Sequence, residues 1–184
     1  RVARAPADGY TIDIGQWDTH VGAIIYPITF DLQKDFAPIG LLSVNPQLLI
    51  ARKGFPADDL KGLVAWMKAN PGKGTFVDQN AAARVTGILM QQSTGTKVEF
   101  IPYRGAGPAM TDLISGQIAV GFVNITAQVV ALHRGGKIRI LAVNAPARLE
   151  ALPDIPTTDE AGLPNFVSQT FFGLFGAAGT PKAA

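Results

Sequence analysis

The residues best suited to chemistry lie in one short run, Asp78-Gln79-Asn80-Ala81-Ala82-Ala83-Arg84, between a strand-like segment and a helical pattern. Such a loop suits an anion. Ala81, Ala82 and Ala83 are small enough for a ligand to approach the backbone, and the first-turn N–H groups of a helix carry partial positive charge. Arg84 adds a guanidinium that can grip a carboxylate through two hydrogen bonds. The same run also reads as an ordinary capped helix start, with Asp78 or Asn80 as the cap and Arg84 in solvent. Asp78 itself counts against an anion there. A second turn, Tyr103-Arg104-Gly105-Ala106-Gly107-Pro108, offers backbone N–H groups and an aromatic wall, or else a plain glycine turn with Tyr103 packed inward. Asn124, after a third strand-like run, is either a ligand contact or a turn former.

Other chemistry finds little support. The two histidines are His20 and His133, and the chain has no cysteine, so disulfides, thiolate metal sites and cysteine nucleophiles are excluded. Asp18 with His20 is too small a set to hold a metal. Ser43, Ser93, Ser115 and Ser168 stand in no nucleophile-elbow pattern, and no phosphate-binding loop of the Walker type is present. Gly105-Ala106-Gly107 opens like a dinucleotide fingerprint, but Met110 stands where the third glycine belongs. No cofactor and no enzymatic activity are expected.

The elements that must position these residues follow from pattern. The chain has 184 residues, 47% hydrophobic and 16% charged, which describes a packed globular protein. The net charge is +2 and the basic residues are scattered, which argues against nucleic acid despite an isoelectric point near 9.0. No apolar stretch reaches the roughly 20 residues that span a bilayer. Strand-like runs at 10–14, 48–51, 74–77, 98–101, 118–122, 138–143 and 171–175 alternate with helical patterns, an α/β signature. Leu60, Leu63, Val64 and Met67 fall at i, i+3, i+4 and i+7 and are closed by Asn70-Pro71-Gly72. Val85, Ile88 and Leu89 mark a second helix ending before Gly95. Pro108 and Gly116 bracket a third, and a fourth covers 127–134, with His133 and Arg134 in its last turn. Short connections of this kind favour a mostly parallel, doubly wound sheet, with ligands at the carboxyl ends of its strands. The segment 144–164 has little periodicity and reads as a surface wrap and a candidate lobe boundary.

These residues, taken in order, resemble a known family. The matching stretches are Asp8-Gly9-Tyr10-Thr11, Lys34-Asp35-Phe36-Ala37-Pro38-Ile39-Gly40, Ala69-Asn70-Pro71-Gly72-Lys73 and Pro102-Tyr103-Arg104-Gly105. They continue through Leu152-Pro153-Asp154-Ile155-Pro156-Thr157, Glu160-Ala161-Gly162-Leu163-Pro164 and Gly179-Thr180-Pro181-Lys182. The chain is similar to the Bug-type substrate-binding proteins of tripartite tricarboxylate transporters. That resemblance implies a type II periplasmic-binding-protein fold of two lobes, each with a mostly parallel doubly wound sheet, and a small ligand held between them. The lobes are expected at 1–51, 52–168 and 169–184, the last returning into lobe 1. The resemblance further implies a periplasmic location, a carboxylate ligand and membrane transporter subunits as partners.

The family's small-residue loop is here Asp78-Gln79-Asn80, with Arg84 in place of a small residue. Where the family commonly has Asp, Val123 stands, followed by Asn124. Gln16 falls where the first lobe presents a polar residue. The expected cleft is therefore Gln16, Asn80, Ala81, Ala82, Ala83, Arg84, Tyr103 and Asn124. Both ends of the chain read as cut, which leaves the first lobe incomplete and makes a homodimer or lobe swap an expectation. A ligand-sensing regulatory domain of the same fold class, or a doubly wound enzyme, is the alternative.

Overall fold

In the computed structural model, which describes residues 1–17, 19 and 27–181, the run at Leu60, Leu63, Val64 and Met67 forms helix α1 (Leu60–Ala69). Asp59 caps it by accepting the Gly62 N–H at 2.7 Å. Leu60, Leu63 and Met67 are essentially inaccessible to solvent, each burial contributing about 2 kcal/mol. Asp18, His20 and Lys182 lie outside the described residues.

The chain divides into two compact units, Arg1–Asn45 with Thr170–Ala184, and Pro46–Gln169. The second unit contains α1, β3 (Gly74–Asp78), α2 (Ala81–Thr94), β4 (Val98–Pro102), α3 (Ala106–Ser115), β5 (Val120–Asn124), α4 (Ala127–Arg134) and β6 (Ile138–Val143). Its sheet also takes residues 47–52 of the long strand β2 (Phe36–Arg52), which lie between β5 and β6. Strands β3, β4 and β5 run parallel, and β2 is antiparallel to both β5 and β6. Residues 47–52 of this strand are thus paired within the second unit.

Side-chain alternation along these strands builds two cores. Leu49, Phe76 and Phe122 pack with α1 and α2, whereas Leu48, Ile50, Val77 and Val123 pack with α3 and α4. Helix α2 meets its core with Ala83, Thr86, Gly87 and Met90, while Ile88 and Leu89 are exposed. It stops at Gly95, whose φ of 65° is costly for other residues.

The segment 144–164 belongs to the second unit and is tied to it. The Val143 N–H donates to the Pro156 carbonyl and the Thr158 N–H to the Val143 carbonyl, both at 2.9 Å. Thr157 and Glu160 exchange hydrogen bonds, and Arg148 Nε sits 2.8 Å from Glu160 Oε2. The Thr157 N–H first, and then Arg148, hold the Glu160 carboxyl below its ordinary pKa.

In the first unit β1 (Ile12–Gln16) pairs antiparallel with β7 (Gln169–Ala177), from Ile12 opposite Gly176 to Gln16 opposite Phe172. The early part of β2 neighbours β7. Phe36 packs edge-on against Phe30 and Phe175, with ring centroids 5.5 and 6.3 Å away.

Gly121 lets β5 lie close to β3: a Cβ there would stand 2.9 Å from Val77 Cβ. Gly121→Ala is expected to destabilise the chain by about 1–3 kcal/mol in urea unfolding. Gly107→Ala, with nothing within 4 Å of the added atom, should cost nothing. Equal midpoints for the two variants would contradict this packing.

Candidate functional site

The carboxyl ends of β3 and β5 open onto a cavity of about 350 Å³ within the second unit. Gln79 and Asn80, which follow β3, and Val123 and Asn124, which end β5, form one side. Helix α3 supplies Gly107, Met110, Thr111 and Ile114, one face at helical spacing. Helix α4 supplies its cap Thr126 with Gln128 and Val129. Three helices thus begin around the carboxyl edge of the sheet, where first-turn N–H groups give a positive field without a formal charge.

Asn80 is the cap of α2. Its backbone is extended, its side-chain oxygen accepts the Ala83 N–H at 2.8 Å, and its carbonyl accepts the Arg84 N–H at 3.1 Å. The three alanines are 0, 3 and 1% exposed, so their small size serves close packing of the first turn. Arg84 turns to another partner. Its Nη1 bonds the buried carboxylate of Asp78, and its guanidinium lies over the Phe100 ring, 5.6 Å from the centroid. A buried carboxylate must be paired, and Arg84 is the cation that pairs it.

Tyr103 donates from its hydroxyl to Asp112 Oδ2 at 2.8 Å, and its N–H bonds the Asp78 carbonyl. Desolvation, reinforced by Asp112, pushes the Tyr103 pKa up to about 12.

Of the expected cleft, the cavity brings together Asn80 and Asn124. Ala81, Ala82 and Ala83 sit behind them in the first turn of α2, and Arg84 and Tyr103 are not among the lining residues. Gln16 belongs to the first unit, where its N–H meets Thr19 Oγ1 at 3.1 Å. Gln79 is a lining residue the sequence reading did not single out. The signal was its place directly after the strand, beside the cap.

Among the described residues no group of three or more His, Cys, Asp or Glu side chains gathers to hold a metal. No described helix is long and apolar enough to cross a membrane.

The model of the tripartite tricarboxylate transporter family receptor matches residues 1–184. The chain belongs to this family. Members of the family are solute receptors. The protein BugT of Bordetella pertussis is 33% identical over 98% of this chain and 57% of its own length. A UPF0065 protein of Agrobacterium vitis is 34% identical, over 98% of this chain and 53% of its own.

Among solved structures, MatC of Rhodopseudomonas palustris with bound malate superposes with a TM-score of 0.86 at 32% identity, covering 100% of this chain and 63% of that one. R. palustris Rpa4515 with adipate gives 0.89 at 29%, over 99% and 62%. The periplasmic binding protein BugD gives 0.85 at 32%, over 99% and 62%. This chain spans somewhat more than half the length of these relatives and solved structures.

Removal of the α2 cap by Asn80→Ala is expected to cost about 1 kcal/mol in urea unfolding. Tyr103 should give a late component, near pH 12, in an ultraviolet pH titration, and Tyr103→Phe should remove it. Because its folded pKa is raised, its contribution to stability is complete below pH 10 and declines between pH 10 and about 12. If the component lost in the variant titrates near the ordinary pH 10 and not near 12, the raised pKa attributed to burial and Asp112 is contradicted.

Proposed function

We propose that the protein containing this chain is a periplasmic solute receptor that captures a small carboxylate and delivers it to a tripartite tricarboxylate-type membrane transporter. The observation that carries this reading is the capped start of α2 beside an uncharged cavity at the carboxyl ends of β3 and β5. The malate in MatC and the adipate in Rpa4515 support an acid as the ligand. First-turn N–H groups stabilise the acid's negative charge, and the carboxamides of Asn80 and Asn124 orient it. Function is capture and release, with no bond made or broken. Arg84 acts through Asp78, by holding the loop, and does not itself bind the acid.

A thermal-shift series on this chain with malate, adipate and a neutral amide tests the reading. Ligand at one hundred times its Kd adds about 2.7 kcal/mol, a rise of a few degrees in Tm. Acids are expected to give that rise, and Asn124→Ala to reduce it. Arg84→Ala should retain the acid-induced rise from a starting stability lowered by about 1–2 kcal/mol, allowing for the half-exposed guanidinium. A rise with the amide alone would remove the carboxylate assignment. Loss of the acid response in Arg84→Ala at unchanged stability would contradict the role given to Arg84.

A further inference from the structure

Helix α3 supplies a wall of the cavity described above that is apolar and reachable from solvent. Gly107, Met110, Thr111 and Ile114 line it at helical spacing, while Ala109 and Leu113 turn into the core beneath. Ile114 is 39% exposed, and Met110 is partly buried. A single exposed isoleucine is ordinary on a protein surface, but this one stands one turn from Met110 on a cavity wall, where one ligand can cover both.

The hydroxyl on this wall, that of Thr111, donates back to the Gly107 carbonyl at 3.2 Å, so its hydrogen is spent within the helix. A Cβ built on Gly107 would meet nothing within 4 Å, so the wall is uncrowded at its first turn. From Gly107 to Ile114 it runs about 10 Å along the helix axis at the usual helical rise, room for a six-carbon acid laid along it. The strand ends and the start of α4 differ in character, with Asn80, Asn124, Thr126 and Gln128 among the lining residues. The cavity thus offers polar groups to a carboxylate and a methyl and thioether surface to what the carboxylate is attached to.

We infer that the ligand is a carboxylic acid with a hydrocarbon body of about four to six carbons, and that Met110 and Ile114 set the preference for it over shorter acids. This inference rests on the acid-receptor reading, in which the carboxylate goes to the first turn of α2. The wall acts on the hydrocarbon body alone, so monocarboxylates and dicarboxylates follow the same order.

The test is isothermal titration of this chain with butyrate and hexanoate, and with succinate and adipate. The members of each pair carry the same carboxylates and differ by two CH2 groups. Burial of one CH2 group strengthens binding about three- to four-fold, so the longer acid of each pair is expected to bind about ten-fold tighter. Ile114→Asn together with Met110→Gln, polar side chains of similar size, should bring both ratios close to one. Ile114→Asn alone, at an exposed position where circular dichroism should show an unchanged fold, is expected to lower each ratio to about three. Equal affinities within each pair on the unaltered chain overturn the inference and leave the receptor reading standing. Ratios that persist in the variants overturn the roles of Met110 and Ile114. The absence of binding by all four acids overturns the acid-receptor reading itself.

Discussion

The second unit depends on burying β2 from both sides. Residues 48–51 are at most 1% exposed, because β5 and β6 pair with the strand along its two edges while helices cover both faces of the sheet. A strand in that position must be apolar throughout, as Leu48-Leu49-Ile50-Ala51 is. Just before it, Gln47 brings a carboxamide into the interior. It remains there because Thr86 Oγ1 of α2 and Ser168 Oγ each lie 2.5 Å from its Oε1. Its backbone also joins β2 to the strands beside it: the Asn144 N–H donates to the Gln47 carbonyl, and Gln47 stands opposite Asn124. One residue thereby connects α2, the end of β5 and the return of the chain at Ser168.

That connection positions the candidate site. Helix α2 starts where Asn80 caps it and is fixed one turn later by Thr86, so its first-turn N–H groups have a set direction. Asn124 is carried on a strand whose register is locked to β2 over residues 120–124. Rigid elements therefore supply the polar groups, and the loops between them are short. This suits recognition, in which bond donors must already point at the ligand before it arrives. The pairing of Asp78 with Arg84 adds to that rigidity, since it anchors the loop at the end of β3 to the beginning of α2.

Much of this was legible where local pattern and tertiary packing agree. The spacing of Leu60, Leu63, Val64 and Met67 gave α1, and β6 and α4 fall at the expected residues, because caps and breakers such as Thr126 and Gly135 bound them. The exposed side of α2 was harder to read. Val85, Ile88 and Leu89 announce the helix, yet its inner face is built from Ala83, Thr86 and Gly87, whose small size is what lets α2 approach Phe76 and Phe100. The early part of β2 was obscured by Pro38 and Pro46, which lower any strand reading. At the site, the sequence identifies Asn80 and Asn124 but cannot reveal that Arg84 is bound by Asp78. That depends on Asp78 being buried, a property of the fold and not of its neighbours in sequence.

The most direct test of the central claim, that an acid is held at the start of α2 beside Asn124, is a titration of the 15N-labelled chain followed by amide chemical shifts. The ligand is malate or adipate, whichever binds tighter. The account predicts the largest shifts at residues 79–83 and 123–126, with residues 60–68 of α1 unchanged. Shifts centred on the groove beside Lys61 and Lys68, or on the first unit alone, would contradict it.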